Sequence, residues 1–191
     1  MKLFCAPGFS SLADHIAMLE AGLQFDIAKV DISTKQMEGS GLYTDINPKG
    51  YVPALMLDDG EVLTENVAIL TWVADQAPRL SPPGPLGRYK LIEMLSFITS
   101  EIHKRFPIYL SADETTQPAL REDILRWFGF VANRLERGYL FGNEFSAADA
   151  YLFVMARGAA ELGFPLPDAY GDYISRIESR QSAREAARRE A

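Results

Sequence analysis

The sequence predicts two unlike halves, a mixed α/β sheet domain and then an all-helical domain. Three observations predict this. Residues 1–77 run in the order β-α-β-loop-β-β-α, and a helix between two early strands calls for a parallel crossover while a later hairpin is antiparallel. APRLSPPGPLGR at 77–88 holds four prolines and two glycines, which suit neither helix nor strand, so residues 78–88 read as a linker. From 89 to 191, apolar residues recur at three- and four-residue steps.

Each element has a local reason. MKLFC is a short apolar run closed by Pro7-Gly8, which makes residues 1–5 a strand. Ser11-Leu-Ala-Asp14 has capping-box spacing, Ile16, Leu19 and Leu23 follow at helical spacing, and Gly22 stops the helix. FDIAKVDI, 25–32, is a second strand. Residues 33–50 are polar and rich in breakers. YVPALML, 51–57, is a third strand, turned by Asp58-Asp-Gly60 into EVLT, 61–64. NVAILTWVADQ, 66–76, is a helix with Val67, Ile69, Leu70 and Val73 inward. In the second half, helices run over RYKLIEMLSFITSEIHKRF (88–106), over 119–138 up to Gly138, from the capping box Ser146-Ala-Ala-Asp149, and from about Asp168 onward.

Composition narrows the function. The 191 residues are 48% hydrophobic and 24% charged, with a net charge of −7, of which −6 falls in residues 1–80. An acidic chain argues against nucleic-acid binding, since phosphate neutralisation needs a basic face. Arg176, Arg180, Arg184, Arg188 and Arg189 alternate with Glu178, Glu185 and Glu190, as on an ion-paired solvated helix. No apolar run approaches the roughly 20 residues of a membrane helix. The N-terminus lacks a secretory h-region, and a single cysteine forms no internal disulfide. A cytoplasmic location is the expectation.

Two features carry chemistry. Ser10 and Ser11 stand where the first helix begins, beside the only cysteine, Cys5. Pro53 interrupts an otherwise convincing strand, where proline removes a ladder donor. Either the strand is an edge with a trans proline, or the Val52–Pro53 bond is cis and turns the Val52 amide and carbonyl toward a peptide-like ligand.

MKLF-x-x-PG-x-x-S-L-A-x-H-I, NPKG-x-VPAL (47–55), LDDG-x-x-LTE, E-x-HK-x-F (101–106) and ADAYLF span nearly the whole chain in order. Together they make it resemble a cytosolic glutathione transferase, nearest the bacterial beta class. The resemblance implies a thioredoxin-like first domain with a four-stranded sheet, an all-α second domain, a homodimer, glutathione as co-substrate, no metal, and the cis form at Pro53. It further implies that Val52, flanked by Tyr51 and Pro53, pairs with the cysteinyl part of glutathione. Glu65 and Asn66 hold the γ-glutamyl end, Lys35 faces the glycyl carboxylate, and His103 looks across from the second domain. His15 is structural. A hydrophobic electrophile is expected in the interdomain cleft against Phe9, His103, Phe106, Tyr109 and Leu110, and Leu80, Tyr89 and Leu91 are candidates for the dimer contact.

The departures fall at the chemistry. The class usually has cysteine where this chain has Ser10, tyrosine where it has Cys5, and often asparagine where it has Ser96. Glutathione's thiol, with an ordinary pKa near 8.5, is only a few per cent ionised at neutral pH and needs donors to become a thiolate. Ser10 and Ser11 at a helix N-terminus can supply them, which favours conjugation, since a hydroxyl forms no mixed disulfide. The alternatives are a glutathione-binding carrier, or a glutathionyl reductase using Cys5.

Overall fold

The computed structural model describes residues 1–39 and 41–191. Strands β1 (Lys2–Cys5), β2 (Asp26–Lys29), β3 (Ala54–Met56) and β4 (Val62–Thr64) form one mixed sheet in the order β2-β1-β3-β4. β1 and β2 are parallel, with Leu3 opposite Ile27; β1–β3 and β3–β4 are antiparallel, with Leu55 opposite both Leu3 and Leu63. The parallel pair is joined by helix α1 (Ser11–Ala21), as the spacing required. Gly22 ends α1 at φ 75°, its N–H reaching the Leu19 carbonyl while the Leu23 N–H reaches that of Met18. Only glycine enters that left-handed conformation without strain.

The third strand is shorter than expected, because Pro53 donates no ladder hydrogen bond. The Val52–Pro53 peptide is cis. Just before it, the buried Tyr43 donates its hydroxyl to the Tyr51 carbonyl at 3.0 Å and Asn47 donates to the same oxygen at 2.8 Å, so Tyr51 and Val52 are held from behind.

Helix α2 (Asn66–Gln76) packs with α1 on one face of the sheet, and the helical half covers both. The long helix expected over 88–106 is three pieces: α3 (Gly87–Phe97), a π-helical stretch (Ile98–His103) and α4 (Arg105–Ser111). A π turn re-aims side chains within a continuous rod and recurs at functional sites. α5 (Gln117–Ala132) and α6 (Ala147–Glu161) follow. The last segment is two helices, α7 (Ala169–Glu178) and α8 (Gln181–Glu190), broken where Arg180 turns extended. Arg180 grips Glu20 at the end of α1 through two hydrogen bonds of 2.7 and 2.9 Å. α8 lies on α1, where His15 Nδ1 meets Glu190 Oε1 at 2.8 Å with both residues buried. The late arginines are only partly ion-paired as expected: Arg188 and Arg189 pair with Glu185, whereas Arg176 and Arg184 donate to the Gly138 and Ser179 carbonyls and Glu190 is buried.

One apolar core runs from Leu3, Ile16, Leu55 and Leu70 through Leu91, Ile98 and Phe128 to Tyr151, Phe153 and Tyr173. Leu80 and Leu91 belong to it, which corrects their reading as dimer contacts: both are buried within the protomer, while Tyr89 is 66% exposed. No helix among the described residues is long and apolar enough to cross a membrane.

Candidate active site

The site starts where β1 gives out. After Ala6 the chain turns through Pro7 and Gly8, the latter at φ 79°, and the Phe9 N–H bonds back to the Ala6 carbonyl. This short turn sets Ser10 at the N-terminus of α1, where unpaired helix amides favour negative charge.

Ser10 opens onto a cavity of about 670 Å³. The sheet half lines it with Phe9, Ser10, Tyr51, Val52, Pro53, Glu65 and Asn66; the helical half adds Thr99, His103, Lys104 and Tyr151. A second cavity, about 360 Å³, adjoins it and is walled mainly by apolar groups, among them Phe9, Phe106, Leu110, Val154 and Met155. Phe9, Ser10, His103 and Pro107 line both, so the two spaces meet at these four residues.

The polar wall is organised by charge. Glu65 enters α2 at φ 79° and its carboxylate accepts from Lys49 and, at 2.9 Å, from the Tyr51 hydroxyl. Those bonds, Lys49 first, hold it below the usual carboxylate range. Across the cavity His103 Nδ1 and the Tyr151 hydroxyl are hydrogen-bonded at 2.6 Å. Burial, helped by Lys104, moves the imidazole below its ordinary pKa, so it is neutral at pH 7.

Ser10, Tyr51, Val52, Pro53, Glu65, Asn66 and His103 thus converge on one cavity, and Phe9, Phe106 and Leu110 on its neighbour. Four expected residues stand apart. Ser11 is fully buried, its hydroxyl accepting from the Ala6 N–H at 3.1 Å and donating to the Ala6 carbonyl at 3.4 Å, so it splices β1 to α1 and faces no cavity. Cys5 is fully buried, and desolvation, reinforced by Glu190, pushes its thiol up to about 12. A buried thiol is a poor nucleophile and this one lines neither cavity, which counts against its reading as a catalytic sulfur. Lys35 donates to the Gly50 carbonyl at 2.7 Å, outside the cavity lining. Tyr109 packs edge-on against Phe164 at 5.0 Å, because one helical step from Leu110 turns it toward α5, whereas Phe106 and Leu110 share a face.

Sequence reasoning overlooked Lys49, Thr99, Lys104 and Tyr151. Thr99 and His103 sit four apart, a spacing that places both on one helical face, so Thr99 could have been found. Nothing local marks Tyr151 within its apolar helix. Among the described residues no three His, Cys, Asp or Glu side chains are grouped to hold a metal ion.

Family models for the glutathione S-transferase N-terminal and C-terminal domains match residues 14–76 and 92–181. A glutathione S-transferase of Escherichia coli O157:H7, GstA, is 42% identical over 165 residues, 83% of this chain and 82% of the relative. The chain belongs to the glutathione S-transferase family. The solved beta-class glutathione S-transferase of Sphingomonas chungbukensis superposes on this transferase with a TM-score of 0.90 at 41% identity, covering 100% of this chain and 99% of that one. A sphingomonad glutathione S-transferase solved in complex with glutathione has a TM-score of 0.89 at 40% identity, over 100% and 98% of the two chains. The transferase has the thioredoxin-like sheet domain and helical domain of its family.

Proposed function

We propose that this glutathione transferase binds the tripeptide in the larger cavity, with its sulfur over Ser10, and conjugates it to a hydrophobic electrophile held in the smaller one. The observation that carries the reading is the meeting, at Phe9, Ser10, His103 and Pro107, of a cavity that bears charged and polar side chains with one walled mainly by apolar groups. The backbone of Val52 offers a strand-like partner for the cysteinyl residue. Glu65 receives the γ-glutamyl ammonium, while the N-terminus of α2 and Lys104 favour its carboxylate. The thiol loses its proton to water in the cleft, the thiolate attacks the electrophilic carbon to form the C–S bond, and the leaving group departs into the cleft with its bonding electron pair. Ser10 donates to the thiolate when its hydroxyl turns from Asn66, to which it is bonded at 3.1 Å, and the positive end of α1 favours the thiolate. Neutral His103 lies across the same junction and faces the incoming electrophile. The buried Cys5 speaks against the reductase alternative. The family's habit of dimerising and the absence of a membrane-spanning helix among the described residues support a cytoplasmic homodimer.

The test is Ser10→Ala, assayed with a chlorinated aromatic electrophile. We expect kcat/KM to fall about threefold, the scale of one ordinary hydrogen bond, with little change in Tm. Unaltered kcat/KM would remove Ser10 from the mechanism.

A further inference from the structure

The proton of Ser10 is already directed elsewhere. The side-chain nitrogen of the buried Asn66 lies 3.2 Å from the Ser10 carbonyl and 2.7 Å from Asp14 Oδ2. A carbonyl oxygen can only accept, so the atom facing it is the amide nitrogen, and the amide orientation is fixed by its partners. The Asn66 oxygen therefore faces the Ser10 hydroxyl, which donates to it at 3.1 Å. With its hydrogen committed inward, Ser10 shows the cavity lone pairs. It can receive a thiol S–H, but it stabilises a thiolate only by releasing Asn66.

We propose that Asp14 is a positioning residue for the sulfur site, acting through Asn66: by accepting from the Asn66 nitrogen it holds the amide oxygen on the Ser10 hydroxyl and so restrains that hydroxyl from serving the thiolate. The inference rests on the reading that glutathione's sulfur lies over Ser10. Asp14 itself lines neither cavity, and its other oxygen, Oδ1, is buried without a partner among the described residues. Full burial holds its carboxyl well above the usual range. Asn66 and Asp14 are 52 residues apart and belong to different helices, so the clamp also fixes the entrance of α2 against that of α1.

The measurement is the pKa of bound glutathione, read from thiolate ultraviolet absorbance against pH at saturating glutathione. Asp14→Leu removes one of the two acceptors on the Asn66 nitrogen and leaves only the Ser10 carbonyl, which loosens the amide oxygen's hold on Ser10 and frees the hydroxyl to turn and donate. The bound thiol should fall by about 0.5 in pKa, the scale on which one ordinary hydrogen bond counts. Asp14→Asn keeps an acceptor and should hold the wild-type value. In a Ser10→Ala background the Asp14→Leu effect should vanish. The proposal is overturned if Asp14→Asn shifts the thiol as Asp14→Leu does, which would mark a charge effect. It is overturned equally if the shift survives in Ser10→Ala or is absent altogether. Should Asp14→Leu not fold, Asn66→Ser, which withdraws the amide oxygen from Ser10, must produce the same fall, and its failure to do so overturns the proposal. A wild-type protein with no glutathione-dependent thiolate signal would overturn both this proposal and the glutathione reading beneath it, whereas a normal wild-type signal with unresponsive variants overturns this one alone.

Discussion

Two helices of this transferase open with the same pattern, a serine and an aspartate three residues on, and they use it differently. At α6, Ser146 and Asp149 form a complete capping box: the Ser146 N–H and hydroxyl donate to Asp149 Oδ2 at 2.8 and 2.6 Å, and the Asp149 N–H returns to the Ser146 hydroxyl at 3.4 Å. Asp149 Oδ1 also accepts from the Leu140 N–H at 2.9 Å and from the Tyr173 hydroxyl at 3.2 Å. At α1, Ser11 turns back to Ala6, Asp14 turns away to Asn66, and no side chain caps the helix. Both aspartates are fully buried and both are raised by desolvation, Asp149 to about 6. Asp149 leaves no oxygen without a partner and Asp14 leaves one. A cap that is completed closes a helix end. One that is withheld leaves the first amides of the helix without a side-chain cap.

The comparison breaks most sharply at Asp149. Asp149→Ala strands the Leu140 and Ser146 N–H groups inside the core and should cost roughly 3–5 kcal/mol, or about 10 °C in Tm, by thermal denaturation. Asp14→Leu, which removes a half-satisfied carboxyl, should shift stability by no more than about 1 kcal/mol in the same melts. Equal losses at the two sites would erase the distinction.

Ser11→Ala sharpens the contrast within α1. It leaves the buried Ala6 N–H unpaired and should lower stability by about 2 kcal/mol. Conjugating activity at a temperature where the variant is folded should stay near wild type, the reverse of Ser10→Ala. Loss of activity without loss of stability would return Ser11 to the site.

The smallest expected effect links α6 to the cavity through Tyr151 and His103. His103 titrates below its ordinary value of 6.5 because burial disfavours its charged form. Below 6.5 the unfolded chain therefore binds a proton that the folded one resists, and stability rises with pH across that window. Lowering the pH from 7 toward 5 should erode stability more in wild type than in His103→Gln, as measured by denaturant midpoints. Parallel curves for the two proteins would show that His103 is not desolvated as described.

Much of this architecture was legible because its signals are local. Periodicity marked α1, α2 and α5, prolines marked the join between the halves, and Gly22 marked a helix end. Motif order carried the family, and with it Val52, Glu65 and Asn66. What was misread depends on partners distant in sequence. Ser11-Leu-Ala-Asp14 has the spelling of a cap, and only Asn66 and Ala6 divert its side chains. Ser10 and Ser11 are alike in sequence, but one helical step, about 100° of rotation, sends one to the cavity and the other into the core. Tyr109 was lost the same way, since its rotation relative to Leu110 decides which groove it meets. The break between α7 and α8 was hidden because the charged pattern runs through Arg180, whose extended backbone serves the grip on Glu20.

That grip and the buried contact between His15 and Glu190 have a consequence for synthesis. The first helix of the sheet half is covered by the last helix of the chain, 175 residues downstream at the His15 contact. A nascent chain on the ribosome can pair its strands early, yet the flank of α1 stays wet until the closing segment has emerged and docked. The flank of α1 is thus sealed only after residues Gln181–Glu190 have been made.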